Sequence, residues 1–296
     1  MSAAALNVIV SPWFERGRPA ALGMAYNGGS LGGIIFSPLW VAAISAVGFP
    51  VAASVVAALL LITLWTLAER VFSRTPESMG LRPDGDEPGA TPVSVTSPAA
   101  RPLPGSLLWR DRRFVTLSAG MTLGLFAQIG LITHLFSLLV PALGAQQAGL
   151  AMGLVTAMAI AGRTLLGWMM PPGADRRLVA CGGYLLQIGG SMAFILADGT
   201  NVPLLLAGVV LFGAGFGNAT SLPPLIAQVE FVREDVVRVA ALIVAIAQGG
   251  FAIAPAVFGL IRELSTQAPG AAPFVFAAAA FVQCLSVGAF LAGRRG

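Results

Sequence analysis

Apolar runs of about twenty residues or more recur along this sequence, at 20–47, 49–67, 114–140, 146–170, 178–197, 202–226, 236–261 and 271–292, and the loops between them hold nearly all of its charge. A helix rises about 1.5 Å per residue, so ~20 residues match a hydrocarbon core of about 30 Å. In lipid every backbone polar group must be satisfied inside its own segment, which for runs of this length means helices. Charged residues make up 10% of the chain, against roughly 25% for a soluble domain. The chain is therefore read as an all-α integral membrane protein with about eight full spans. A shorter stretch before Ser11 is too short to cross and reads as the end of a span that begins upstream. The first ten residues carry no basic region, so no cleavable signal peptide is expected.

Arginine placement sets the orientation. If the loop at 13–19 lies inside and the spans alternate, the inner loops receive Arg16 and Arg18, then Arg70 to Arg113, Arg176 and Arg177, Arg233 and Arg238, and Arg294 and Arg295. Only Arg262 falls outside, and Arg163 falls within a span. That asymmetry follows the positive-inside rule and points to a multi-pass protein of a bacterial cytoplasmic membrane, with linker and C-terminus in the cytoplasm. Residues 69–112 are rich in Pro, Gly, Ser and charge and read as a cytoplasmic linker. They divide the chain into a partial N-terminal bundle, 1–68, and a six-helix C-terminal bundle, 113–296. Basic residues spread over short loops are not a nucleic-acid patch, despite the net charge of +4. Cys181 and Cys284 lie inside apolar spans with no metal-ligand spacing, so neither a metal nor a cofactor is expected.

Two stretches repeat each other. WFERGRPAALGMAYNGGSLGGIIFSP and EFVREDVVRVAALIVAIAQGGFAIAP each carry Phe-x-Arg in an inner loop (Phe14 and Arg16; Phe231 and Arg233) and a second arginine at the helix start (Arg18; Arg238). Each then has an amide before two glycines (Asn27; Gln248) and a proline deep in the span (Pro38; Pro255). Both copies enter from the same side, so they are parallel repeats, an arrangement of transporters built from two related halves.

On these residues the chain resembles the major facilitator superfamily. WFERGRPAALG and NGGSLGG with its following proline are similar to the helix 4–5 loop and helix 5 of the monocarboxylate-porter and oxalate–formate-antiporter branch. RTPESMGLRPDG resembles the start of the central loop in related porters, AGRTLLG the end of helix 8, and ADRR the gating motif after it. The resemblance implies a helical bundle of two six-helix halves that works by alternating access. It places the start of this chain near the end of helix 4, which makes the chain N-terminally truncated relative to that pattern. It also implies a monomer in the lipid bilayer, with a small organic anion as substrate and a proton or counter-anion as coupled partner. In that branch an arginine on helix 8 pairs with the substrate carboxylate, with an aspartate one turn earlier. Here Arg163 holds the arginine position, and Ala159 stands where the aspartate would be.

Arg163 leads the candidate residues. An intramembrane charge costs at least ~2.5 kcal/mol on insertion scales and faces a protein interior or a wet cavity unless it snorkels to the interface. A planar guanidinium suits bidentate carboxylate recognition. Gln128, Gln248 and Asn27 offer uncharged hydrogen bonds on helices that line the cavity in the resembling family, although intramembrane amides also serve as helix-to-helix ties. His134, the single histidine, is the proton-coupling candidate and is equally well read as a packing residue bonded to a carbonyl. Arg16, Arg18, Asp175, Arg176, Arg177, Glu230, Arg233, Glu234, Asp235 and Arg238 form mixed-sign inner loops and are read as gating salt bridges. Gly213, Gly215 and Gly217 lie in an apolar span with no preceding strand, which favours helix packing over a nucleotide loop.

Two other function classes stay open at this stage. A membrane enzyme would need paired carboxylates or metal ligands at a membrane edge, and only Glu230, Glu234 and Asp235 cluster, amid arginines. A non-transporting remnant is the other.

Overall fold

The computed structural model describes residues 3–14, 17–85, 105–171, 173–264 and 272–294. Every regular element among them is helical, and the chain divides into two compact units, Met1–Val95 and Thr96–Gly296. Arg16, the side chains of Arg233 and Pro38, and linker residues 86–104 lie outside what is described.

The first unit holds α1 (Ala3–Val10), α2 (Arg18–Val47) and α3 (Phe49–Leu67), with a π turn over Ala68–Phe72 and two 3-10 turns at Glu77–Met79 and Pro83–Gly85. Proline in the first turn starts both α2 and α3, where its missing N–H has no helical partner to lose. Gly48, at φ 78°, makes the corner between them alone, a conformation that favours glycine. The α1–α2 loop is closed from two directions. Arg18 donates from Nε to Phe14 O (2.8 Å) and from Nη2 to Ser11 O (2.9 Å). Asp84 donates its N–H to Trp13 O (2.9 Å) and accepts from Gly17 N on Oδ1 (3.2 Å). Along α3 only Ala52 is buried, while Leu59, Leu60, Leu61, Ile62 and Trp65 are all exposed. Water does not tolerate so long an apolar face; lipid does.

The second unit holds α4 (Gly105–Leu108), α5 (Arg112–Met169), α6 (Arg176–Ala197), α7 (Val202–Phe216), α8 (Leu222–Glu230), α9 (Arg233–Glu263) and α10 (Pro273–Ala292). The 58 residues of α5 would far exceed a bilayer as one rod, and they fold back at Gly144 (φ 76°, ψ 161°), giving two arms, 112–143 and 145–169. Five helices of the described chain are long and apolar enough to cross a membrane: Phe49–Phe72, Arg112–Met169, Arg176–Ala197, Glu234–Glu263 and Pro273–Ala292. The core joins Leu131, Leu135, Val155, Phe194, Phe212, Phe258 and Phe276, with the Phe194 and Phe276 rings stacked at 5.0 Å.

The span expected at 202–226 is not one helix. α7 stops at Phe216, residues 217–221 turn, and α8 begins at Leu222. Pro223 and Pro224 explain the interruption: neither can donate to the preceding turn, and each disfavours helix in the residue before it. Just before the break, the Gly213, Gly215 and Gly217 series allows close packing. A Cβ at Gly215 would overlap Gly183 O, and one at Gly217 would overlap Ala159 O.

Candidate functional site

A helix that ends at membrane depth leaves carbonyls with no helical donor, each costing several kcal/mol in hydrocarbon. At the end of α7, three successive carbonyls receive side-chain donors from three different helical segments. Gln187 Nε2, from α6, donates to Gly215 O at 3.0 Å. Gln128 Nε2, from the first arm of α5, donates to Phe216 O at 3.1 Å. Arg163 Nε, from the second arm, donates to Gly217 O at 2.7 Å. The chain of bonds continues into α10, where Gln283 Nε2 donates to Gln187 Oε1 at 3.0 Å. All four side chains are buried, Arg163 at 7% exposure and the glutamines at 0–1%.

Two expected site residues, Arg163 and Gln128, are thus brought to neighbouring peptide groups. Arg163 lies inside the bundle and does not stretch toward an interface. The other candidates lie elsewhere. Gln248 is exposed on α9, and Asn27 is half-buried on α2, in the other unit. His134, further along the first arm of α5, faces Pro255 O of α9 at 3.0 Å. A carbonyl only accepts, so Nε2 carries the hydrogen. Gln187 and Gln283 join the site without being among the sequence candidates; each is the one amide in an otherwise apolar span.

The inner-loop arginines expected to gate divide into several local arrangements. Arg177, 1% exposed, places all five of its N–H donors. Nε and Nη2 grip Glu230 at 2.6 and 2.8 Å, Nη2 also reaches Arg113 O at 3.0 Å, and Nη1 reaches Thr116 Oγ1 at 3.0 Å and Phe290 O at 3.2 Å. One guanidinium therefore ties α5, α6, α8 and α10. A Cβ at Gly293 would overlap Arg177 Nη1 and Thr116 Oγ1, so only glycine lets the end of α10 close over it. Arg113 adds a bond to Glu230 O at 3.2 Å, and Arg176 donates to Leu225 O. Asp235 pairs with Arg238 at 3.1 Å within α9, and Glu234 is exposed. Each of these contacts lies within the second unit; Arg18 makes its bonds to the α1–α2 loop. At the opposite end of the bundle, Arg262 Nη1 donates to Ser137 Oγ at 2.7 Å, a specific partner for the one arginine expected outside.

Asp175 caps α6, accepting from Arg177 N (2.9 Å) and Leu178 N (3.3 Å) on Oδ1 and from Arg294 Nε (2.7 Å) on Oδ2. Partial burial pushes its carboxyl upward, but the Leu178 N–H, Arg294 and the Arg177 N–H outweigh it and hold the group below its ordinary value. A depressed folded-state value contributes stability above the unfolded aspartate pKa of about 3.9, and that stability is lost as pH falls through the lower folded value. Melting curves of Asp175→Asn should therefore lie below wild type at neutral pH and converge with it under acid conditions. A gap that is constant with pH would mean that the cap alone, and not the charge, matters.

No curated protein matches the chain. The family model of the Major Facilitator Superfamily matches residues 1–255, which take in the first unit and the broken span with Gln128, Arg163 and Gln187, and end within α9. A match over most of the chain, on a protein that folds as an all-helical bundle of membrane-length apolar helices, shows that this chain belongs to the major facilitator superfamily, a family of multi-pass membrane transporters.

Proposed function

We propose that this chain is part of a secondary active transporter that carries a small organic anion, a carboxylate, by alternating access. The observation that carries the reading is the buried cation: Arg163 is 7% exposed among apolar helices and lies beside Gln128 at the end of α7. A positive charge held at such depth favours an anionic ligand. A carboxylate that entered would compete with Gly217 O, a neutral acceptor, for the guanidinium, and charge-assisted pairs are roughly twice as strong as neutral ones. Gln128, bonded one carbonyl away, supplies an uncharged donor beside it. The similarity of AGRTLLG to helix 8 of the monocarboxylate-porter branch points the same way. In this reading the protein works as a monomer with two bundles flanking the 69–112 linker, and the arginine-rich loops, linker and C-terminus are cytoplasmic.

A thermal-shift panel on the purified protein tests the ligand class. Mono- and dicarboxylates should raise Tm, whereas matched amines and sugars should not. Stabilisation by amines or sugars alone would overturn the anion reading.

Ala159 removes the carboxylate that would accept a proton beside Arg163, which leaves His134 as the proposed proton carrier. In His134→Gln, which keeps a donor toward Pro255 O, proton-driven accumulation should fall to the level without a gradient while substrate counterflow persists. Unchanged accumulation would reduce His134 to a packing residue.

A further inference from the structure

We infer that the first residues of the 69–112 linker form a strap over the α1–α2 loop, and that Asp84 acts as the N-terminal carboxylate of α2, brought from 67 residues away. A helix N-terminus leaves its first N–H groups without helical partners and carries partial positive charge, so it favours a carboxylate. The two repeats meet this need differently. α9 carries Glu234 and Asp235 in its own first turn, whereas α2 has no acidic residue there, and its N-cap, Gly17, has no side chain with which to cap. Asp84 takes that place. Its Oδ1 accepts from Gly17 N at 3.2 Å, and its own N–H donates to Trp13 O at 2.9 Å. A Cβ at Gly17 would stand 3.2 Å from that same oxygen, so glycine gives the carboxylate its room. Asp84 holds a left-handed backbone (φ 60°, ψ 7°), a region in which aspartate and asparagine are enriched.

The segment that presents Asp84 is itself tied together. Thr75 N donates to Ser78 Oγ at 3.0 Å, and Ser78 N donates to Thr75 Oγ1 at 3.2 Å. Leu81 N then closes on Pro76 O at 2.8 Å, Gly80 turns at φ 67°, and Pro76 is buried. The strap therefore belongs to the first unit and is not a solvated tether. Opening the α1–α2 loop requires that Asp84 leave both Gly17 and Trp13, whatever the protein carries.

Hydrogen exchange on the full chain in detergent tests the strap. Asp84→Gly keeps the left-handed turn and the N–H toward Trp13 O but removes the carboxylate. The Gly17 amide should then exchange about two- to thirtyfold faster, the range of a lost N-cap, with the amides of α6 and α10 unchanged. Ala20→Glu, added to that variant, puts a carboxylate at the third position of α2, from which it reaches back to the N-cap N–H. It should restore protection at Gly17 while the amide of residue 84 stays faster than in wild type, because a local carboxylate caps α2 but does not hold the strap. Unchanged Gly17 exchange in Asp84→Gly would overturn the inference. So would a double variant in which Gly17 stays fast, which would trace the loss to a rearranged loop. A double variant with residue 84 as protected as in wild type would overturn it too, by showing that the carboxylate does not anchor the strap.

Discussion

Arg177→Met should lower Tm by on the order of 10 °C, because removing one partner of a buried ion pair costs about 3–5 kcal/mol and each kcal/mol shifts a unit of this size by roughly 2–4 °C. The loss has identifiable parts. Glu230 would keep a carboxylate that is only 19% exposed without its bidentate partner, and Arg113 O, Phe290 O and Thr116 Oγ1 would lose a donor. Four helices converge on this one side chain, so their ends should loosen together. The double variant Arg177→Met with Glu230→Met removes both charges and should recover part of the loss. Additive losses in that cycle would show that the pair is not the source of the stability.

Arg163 should give the largest effect on transport. Arg163→Lys keeps the charge but not the planar two-donor edge. A hydrogen bond to a charged group contributes ~1.5–3 kcal/mol, so apparent affinity for a carboxylate should weaken roughly ten- to a hundredfold. Arg163 also caps Gly217 O, and a scaffold role alone could lower activity in such a variant. Arg163→Gln separates the two roles, because its amide still donates to a carbonyl but carries no charge. Its Tm should stay close to wild type while carboxylate uptake is lost. Arg163→Leu should instead lose both, because it leaves Gly217 O without that donor. A glutamine variant with wild-type uptake kinetics would make Arg163 a structural cap and remove it from the binding site.

Sequence patterns anticipate the spans because lipid imposes them. About twenty apolar residues and arginine-bearing turns recur whichever helix packs on which, and α6, α9 and α10 fall close to their expected limits. Pairings between distant residues were not legible. Arg177 and Glu230 are far apart in sequence, and a charged residue beside a loop reads most simply as solvated or gating, yet Arg177 is 1% exposed and fully bonded. The α7–α8 break was signalled by Gly217, Pro223 and Pro224, but hydropathy alone runs straight through it. Arg163 and Gln128 stood out by polarity. That they meet at the end of α7, together with Gln187 and Gln283, depends on the three-dimensional path of four helical segments.

The most direct test of the transport reading is uptake of labelled small carboxylates into proteoliposomes holding the purified protein, with unlabelled carboxylates, amines and sugars as competitors. The account predicts saturable carboxylate uptake that only other carboxylates suppress and that Arg163→Gln abolishes. Saturable uptake of an amine or a sugar, indifferent to carboxylates and to the Arg163 substitution, would contradict it.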